Sequence, residues 1–166
     1  MLTAEYSQSL TRLFSELVNG VSKGGFALNT GDAGLLQSLD QLSAGEASHS
    51  VNGGATIAAH AQHLRFGLSL MNQWAAEGGD PFSNARWDEA WKISTVSDTE
   101  WSEIRNGLRH ETERWLGVLG TAREAAPIEF TGMISSIVHL AYHLGAIRQI
   151  DKSTRGPREG TFKSTD

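Results

Sequence analysis

The sequence predicts an all-α protein, a four-helix bundle with a long crossover between helices two and three. Three observations support this fold class. Four segments place apolar residues three and four positions apart, which is the period of an amphipathic helix. These segments are roughly 16 to 25 residues long, or about 24 to 38 Å at ~1.5 Å per residue, which suits a bundle. The connection between the second and third segments is long enough to run the length of such a bundle.

The first predicted helix spans about residues 3–18. Its apolar positions repeat at helical spacing: Leu10, Leu13, Phe14, Leu17 and Val18. A glycine-rich loop over residues 20–34 follows, and a short helix is expected over the leucines at 35–42. Thr56 is the expected N-cap of helix two, which runs to about Glu77 before Gly78-Gly79-Asp80-Pro81 ends it.

Residues 81–98 carry two tryptophans without a sustained period and predict a surface crossover, with Trp87 and Trp91 packed down onto the protein. Asp98 is expected to cap helix three, which runs to about residue 121. One face of it is apolar: Trp101, Ile104, Leu108, Trp115 and Leu119. Helix four follows Pro127 and extends to about residue 152. We predict one domain over residues 1–152 and a flexible tail over 153–166.

Composition narrows the classes of function. The chain has 166 residues, 39% of them hydrophobic, as expected for one domain with one core. Its net charge is −5 and it has no long lysine or arginine run, so nucleic acid is not an expected partner. It lacks cysteine, which excludes disulfides, a thiolate nucleophile and a thiolate zinc site. We found neither a leader segment nor an uninterrupted apolar run of about 20 residues, and therefore expect a cytoplasmic protein without a membrane partner.

Histidines provide the main functional signal. His139 and His143 lie one helical turn apart in helix four, and His60 and His63 lie in helix two on the arc opposite its polar face. Both pairs are therefore expected to face one core. The other two histidines, His49 in a loop and His110 opposite the apolar face of helix three, are expected to have no special role.

A single core histidine is usually an aromatic filler whose nitrogens find ordinary hydrogen-bond partners. Three or four in one core are harder to satisfy, because each imidazole brings two ring nitrogens into an apolar interior. A metal ion satisfies one nitrogen of each. The sequence thus favours a three-histidine site for a divalent transition metal, zinc or nickel foremost, with a coordination position left open for water or substrate.

The motifs Thr56-Ile57-Ala58-Ala59-His60-Ala61-Gln62-His63-Leu64 and His139-Leu140-Ala141-Tyr142-His143-Leu144-Gly145-Ala146-Ile147 resemble the DinB-like family of metal-binding four-helix bundles. The resemblance covers about residues 4–152. It implies a metal site of His63, His139 and His143, and it favours His63 over His60, which the helical wheel alone does not separate. The family has a glutamine where this chain has Ala146, a change that leaves the ligands intact. Some members are similar to thiol-dependent transferases, which implies a metal-dependent thiol transferase or hydrolase that acts on a small molecule.

Two other interpretations stay open. In the first, the protein is a non-catalytic, stress-related binding or interaction module whose core histidines are structural, with or without a metal. If His60 joins the other three, the site becomes a closed four-histidine site without an open position. A homodimer is a further expectation, because bundles often pair through a helix face and the crossover carries aromatic residues.

Overall fold

The computed structural model describes residues 3–154, and the elements of this part of the chain are helices apart from one isolated bridge between Gly20 and Ala33. An all-helical fold is confirmed. In chain order the helices are α1 (Ala4–Asn19), α2 (Leu35–Asp40), α3 (Ala44–Ala47), α4 (Ile57–Glu77), α5 (Trp87–Ala90), α6 (Asp98–Gly120) and α7 (Pro127–Ile150), followed by a 3-10 turn (Lys152–Thr154).

The predicted start and end of α4 are confirmed. The Thr56 hydroxyl accepts a hydrogen bond from the Ala59 amide, and Gly78 ends the helix with a φ of 71°, a conformation that glycine adopts without strain. The predicted cap of α6 is wrong by one residue. Ser97, not Asp98, is the N-cap: its hydroxyl accepts from the Glu100 amide at 3.3 Å, and the Glu100 carboxylate accepts from the Ser97 amide at 2.8 Å.

Helices α3 and α5 were not predicted from the sequence. Each is a single turn of four residues, too short to show a helical period. Helix α7 ends at Ile150, two residues before the predicted end, and the 3-10 turn packs back onto the protein, since the Ser38 hydroxyl donates to the Thr154 carbonyl at 3.2 Å. The rest of the predicted tail, residues 155–166, lies outside the described residues.

Each of the four long helices packs against two others. Helices α4 and α1 both contact α6 and α7. Helix α7 runs antiparallel to α4, because His60 near the start of α4 meets His143 near the end of α7. The apolar face predicted for α6 is confirmed, since its five residues are buried. They join the core with side chains from the other long helices: Phe14, Leu17, Leu64, Leu140, Leu144 and Ile147.

Helix α7 is long and apolar enough to cross a membrane by length and composition alone, and it is the one such helix within residues 3–154. The central helix of a soluble protein passes the same test. A search for uninterrupted apolar runs does not detect α7, because the polar residues Glu129, His139 and His143 are spread along it. In the fold it supplies one side of the core and half of the histidine cluster described below.

A buried carboxylate joins α1 to the loop that follows it. Glu16 accepts hydrogen bonds from the backbone amides of Phe26 (3.0 Å), Ala27 (2.7 Å) and Leu28 (2.7 Å). Burial alone would raise the pKa of Glu16, but the loop amides, together with the charge of Arg12, outweigh burial and lower this pKa below its ordinary value of 4.5. The loop over residues 20–34 is therefore held by an ionised side chain.

We predict that Glu16→Gln lowers the free energy of unfolding by about 1–3 kcal/mol at pH 7, because the amide leaves at least one buried loop amide without an acceptor. Since the pKa of Glu16 is lowered by folding, its contribution is complete above about pH 4.5 and is lost as the pH falls below that value. The difference between wild type and variant, measured by urea unfolding, should narrow in acid. Glu113→Gln, at an exposed position, is the matched control; an equal loss in both variants would contradict the assignment.

Candidate metal centre

Four histidines from α4 and α7 form one cluster. His60, His63 and His143 are buried, and His139 is half-buried at the edge. The pair in α4, His60 and His63, faces the pair in α7, His139 and His143, across the contact between the two helices, as predicted from their positions in the sequence. The remaining histidines, His49 and His110, are exposed and take no part in the cluster, as expected.

Three Nε2 atoms meet at one point. His63 Nε2 lies 3.2 Å from His139 Nε2, which lies 2.9 Å from His143 Nε2. Nitrogens bound tetrahedrally to one zinc ion at about 2.0–2.1 Å are about 3.3–3.4 Å apart. Within residues 3–154, His63, His139 and His143 are the group whose ligand atoms are close enough together to hold a metal, all within 4.8 Å of one another. The histidine side chains thus fit a single transition-metal ion.

The contacts of His139 Nε2 exceed what one imidazole nitrogen can satisfy by hydrogen bonding. A neutral ring nitrogen carries either one proton or one lone pair, so it takes part in one full hydrogen bond. Here the atom faces both His63 Nε2 and His143 Nε2 at hydrogen-bond distance. One of the two contacts is therefore left unsatisfied between neutral rings. A metal ion among the three atoms would take a lone pair from each.

His60 contacts the opposite side of the His143 ring. Its Nδ1 lies 2.8 Å from Nδ1 of His143, the nitrogen that points away from the three Nε2 atoms. A metal-binding histidine usually donates its second N–H to a nearby acceptor, which fixes its tautomer and orientation. His60 is placed to be that acceptor for His143. The closed four-histidine arrangement is not formed, because His60 does not reach the point where the other three meet.

Burial keeps the cluster neutral. It lowers the pKa of His143 to about 3, helped by the mutual repulsion that would arise if His139, His60 and His63 were also charged. The same causes, burial first, lower the pKa of His63 to about 4. Burial also lowers the pKa values of His60 and His139. At pH 7 each ring therefore carries one proton and keeps one nitrogen with a lone pair free to bind a metal.

Two tryptophans cover the cluster. Their contact with the histidines was not predicted from the sequence. Trp91 stacks on His63 with ring centroids 4.3 Å apart and meets His60 edge-on at 5.3 Å, while Trp87 lies 5.6 Å from His63. Both belong to the 81–98 segment, and their spacing of four residues across α5 places them on one side of that turn. The four-residue spacing of the two tryptophans is the pattern in the sequence that indicates a shared face. The prediction that both pack down is confirmed by these contacts, although Trp91 is 38% exposed.

Stacking, rather than a hydrogen bond to its second nitrogen, orients the His63 ring. His63 Nδ1 is buried and has no hydrogen-bond partner among residues 3–154. The His63 ring is therefore oriented by Trp91 on its face and by the helix that carries it. Its Nε2 atom is directed at the other two Nε2 atoms without help from a second polar group.

Comparison of the chain with protein-family models, with curated proteins and with solved structures gave no match. The resemblance to the DinB-like family stays a prediction. Function is therefore inferred from the side chains that meet at the cluster.

We predict that the chelator-treated protein loses stability as the pH falls from about 7 to 5, where histidines titrate and most carboxylates do not. Because the folded pKa values of His63 and His143 lie below the unfolded value of 6.5, unfolding takes up protons in this range. The stabilising effect of the neutral rings is complete above pH 6.5. Below it, the free energy of unfolding should fall by up to about 1.4 kcal/mol per pH unit for each such histidine.

The measurement is chemical unfolding at half-unit pH steps. His143→Phe should reduce the slope between pH 6.5 and 5, whereas His110→Phe, at an exposed position, should leave it unchanged. Equal slopes in wild type and His143→Phe would show that His143 is not kept neutral by burial.

Proposed function

We propose that the protein is a metal-binding four-helix bundle of the DinB-like type, in which Nε2 atoms of His63, His139 and His143 hold one divalent transition-metal ion. The observation that carries the proposal is the double contact of His139 Nε2, which hydrogen bonding between neutral rings does not satisfy. The spacing of the three nitrogens and their low pKa values support it. Zinc and nickel are the foremost candidates for an all-nitrogen, cysteine-free site.

The helix contacts support the bundle and its crossover. Because α4 and α1 each contact both α6 and α7, the four long helices form a closed ring of neighbours. The Arg65 side chain of α4 lies against Gly107 of α6, and seven residues further along α4 the Asn72 side chain donates to the Glu111 carbonyl of α6 at 3.0 Å, so the two contacts advance in the same direction along both helices. Helices α4 and α6 are therefore parallel. The connection over residues 78–97 must then return along the length of the bundle, and this return brings Trp87 and Trp91 over the histidines.

The proposed activity is metal-dependent transfer of a low-molecular-weight thiol, or hydrolysis, with a small molecule as substrate. His63, His139 and His143 would hold the zinc or nickel ion, and such an ion would supply an open position at which a thiol or water molecule becomes more acidic. The chain's own residues contribute the surroundings. His60 orients the His143 ring, and Trp91 covers one face of the His63 ring.

A second candidate function is a non-catalytic binding or interaction module with structural histidines. The contact of His60 with His143 and that of His143 with His139 favour it, because these pairings satisfy ring nitrogens without a metal. The third contact, between His139 and His63, favours the metal site instead, because His139 Nε2 has no second proton or lone pair for it once it is paired with His143. A protein that stays free of metal would therefore favour this second candidate.

We predict about one zinc or nickel ion per chain in purified, untagged protein, or after incubation with either metal. His63→Ala and His143→Ala should abolish stoichiometric binding, because each removes one of three ligands. Inductively coupled plasma mass spectrometry after gel filtration measures the ratio. His110→Ala is the matched control, a histidine removed from the surface of a long helix.

A wild-type protein that stays free of metal after incubation with both ions would overturn the metal site and favour the structural module. Loss of metal from the His110→Ala variant as well would show that binding is not at the cluster. Circular dichroism of each metal-free variant excludes unfolding as the cause of a loss.

For His60 we predict a weaker effect. His60→Ala should keep one ion per chain but lower its affinity about 10–100-fold, because the His143 ring loses the acceptor that orients it. His60→Asn, whose amide oxygen also accepts a hydrogen bond, should recover part of the affinity. Competition titration with a chromophoric chelator measures both variants. Complete loss of metal in His60→Ala would instead make His60 a ligand.

A further inference from the structure

A cavity of about 150 Å³ lies beside the histidine cluster, between α4, α7 and the segment that joins α4 to α6. His139 forms part of its wall, so the cavity and the three Nε2 atoms share one side chain. The rest of the wall is mainly apolar: Leu64, Leu68, Met71, Phe82, Trp87 and Leu140. A molecule in this space would lie directly against the His139 ring.

The polar groups of the wall are few. No charged side chain of the described residues lines the cavity. The Ser136 hydroxyl, which does line it, is already engaged: it accepts from Trp115 Nε1 at 2.8 Å and donates to the Met133 carbonyl at 2.7 Å. His139 and Ser135 are the other polar side chains of the wall. The cavity therefore suits an uncharged apolar group, since a charge would be buried without a partner.

Gly67 keeps this space open. Its φ is not positive, so the backbone of α4 does not require glycine at this position. A Cβ atom there would lie 3.6 Å from Cζ3 of Trp87 and 3.9 Å from Cε1 of His139, which are ordinary contact distances. Alanine would fit and would favour the helix. What glycine provides is the gap between the tryptophan and the histidine.

The cavity continues into a wider groove. Met71, Phe82, Gly132 and Ser135 line both spaces, and the groove, of about 530 Å³, extends along α4 and α7 to Ile128. A ligand with a ring in the inner cavity thus has room for a further substituent toward the surface. The inner cavity is similar in size to apolar protein cavities of about 150 Å³ that bind benzene.

We propose that this cavity binds an aromatic ring of a small-molecule ligand, with the ring between Trp87 and Leu64 and the ligand's polar end at His139. The aromatic side chains of Trp87 and Phe82 favour an aromatic guest through edge-to-face contacts. Binding of the ring needs no metal. The position of the polar end rests on the proposed function, because it places a thiol or similar group where the three Nε2 atoms meet.

The test is a titration of chelator-treated protein with fluorobenzene, followed by ¹⁹F NMR. Wild type should bind it saturably. Gly67→Ala should weaken binding, and Gly67→Leu, which fills the cavity, should weaken it at least about tenfold. Gly117→Ala and Gly117→Leu are matched controls at an exposed helix position where an added Cβ meets nothing within 4 Å, and both should bind as wild type does.

Absence of saturable binding to wild type, or unchanged binding to Gly67→Ala and Gly67→Leu, would overturn the proposal. An alanine Cβ at position 67 would lie at ordinary contact distances from its neighbours, so Gly67→Ala should fold. If Gly67→Leu does not fold, the binding measured for Gly67→Ala decides the test. Circular dichroism checks each variant.

A second titration, with 4-fluorothiophenol and zinc-loaded protein, tests the polar end. The thiol should bind at least about tenfold more tightly than fluorobenzene, and His143→Ala should remove this advantage while leaving fluorobenzene binding in place. Equal affinities for thiol and fluorobenzene would overturn the placement at His139. Fluorobenzene binding by a protein that takes up no metal would support the ligand cavity and overturn the metal site. Metal uptake without fluorobenzene binding would support the metal site and overturn the ligand cavity.

Discussion

The organisation of the site depends on the ring nitrogens of four histidines enclosed between two helices. Each nitrogen needs a partner in an apolar surrounding, and the burial that creates this need also lowers the pKa values of the rings. Neutral rings bring one proton each. One such proton serves the contact between Nδ1 of His60 and Nδ1 of His143. His139 Nε2, however, faces two other Nε2 atoms and has a single proton or lone pair to offer. The proposed metal ion would resolve this conflict by taking a lone pair from each of the three Nε2 atoms.

The rest of the fold holds these rings in position. Capping of α4 by Thr56 sets where His60 and His63 occur along the helix, and the antiparallel packing of α7 brings His143 and His139 opposite them. The segment over residues 81–98 then crosses the histidine cluster on the side that α4 and α7 leave uncovered. Trp91 stacks on the His63 ring and Trp87 lies tilted beside it, and these large apolar side chains lower the local dielectric, which strengthens electrostatic interactions within the cluster.

His139 links the proposed metal site to the apolar cavity. It is the least buried histidine of the three, and one side of its ring faces the space kept open by Gly67. A ligand in the cavity would therefore meet the site from the side of His139, whereas His143 is enclosed and backed by His60. This asymmetry assigns different roles to chemically identical side chains. His143 is enclosed, and His139 is the one that a small molecule in the cavity would contact.

By itself the sequence determined the helical class, the extent of α4 and the orientation of both histidine pairs toward the interior, because helical period and capping are local properties. It missed α3 and α5, single turns without a period, and misplaced the cap of α6 by one residue, since serine and aspartate are both good caps. It did not separate His60 from His63, which share one arc of α4. Only the tertiary structure decided that, because the axial register of α7 against α4 depends on core contacts between residues far apart in sequence. This register places His63 beside the Nε2 atoms of His139 and His143, and it places His60 beside Nδ1 of His143.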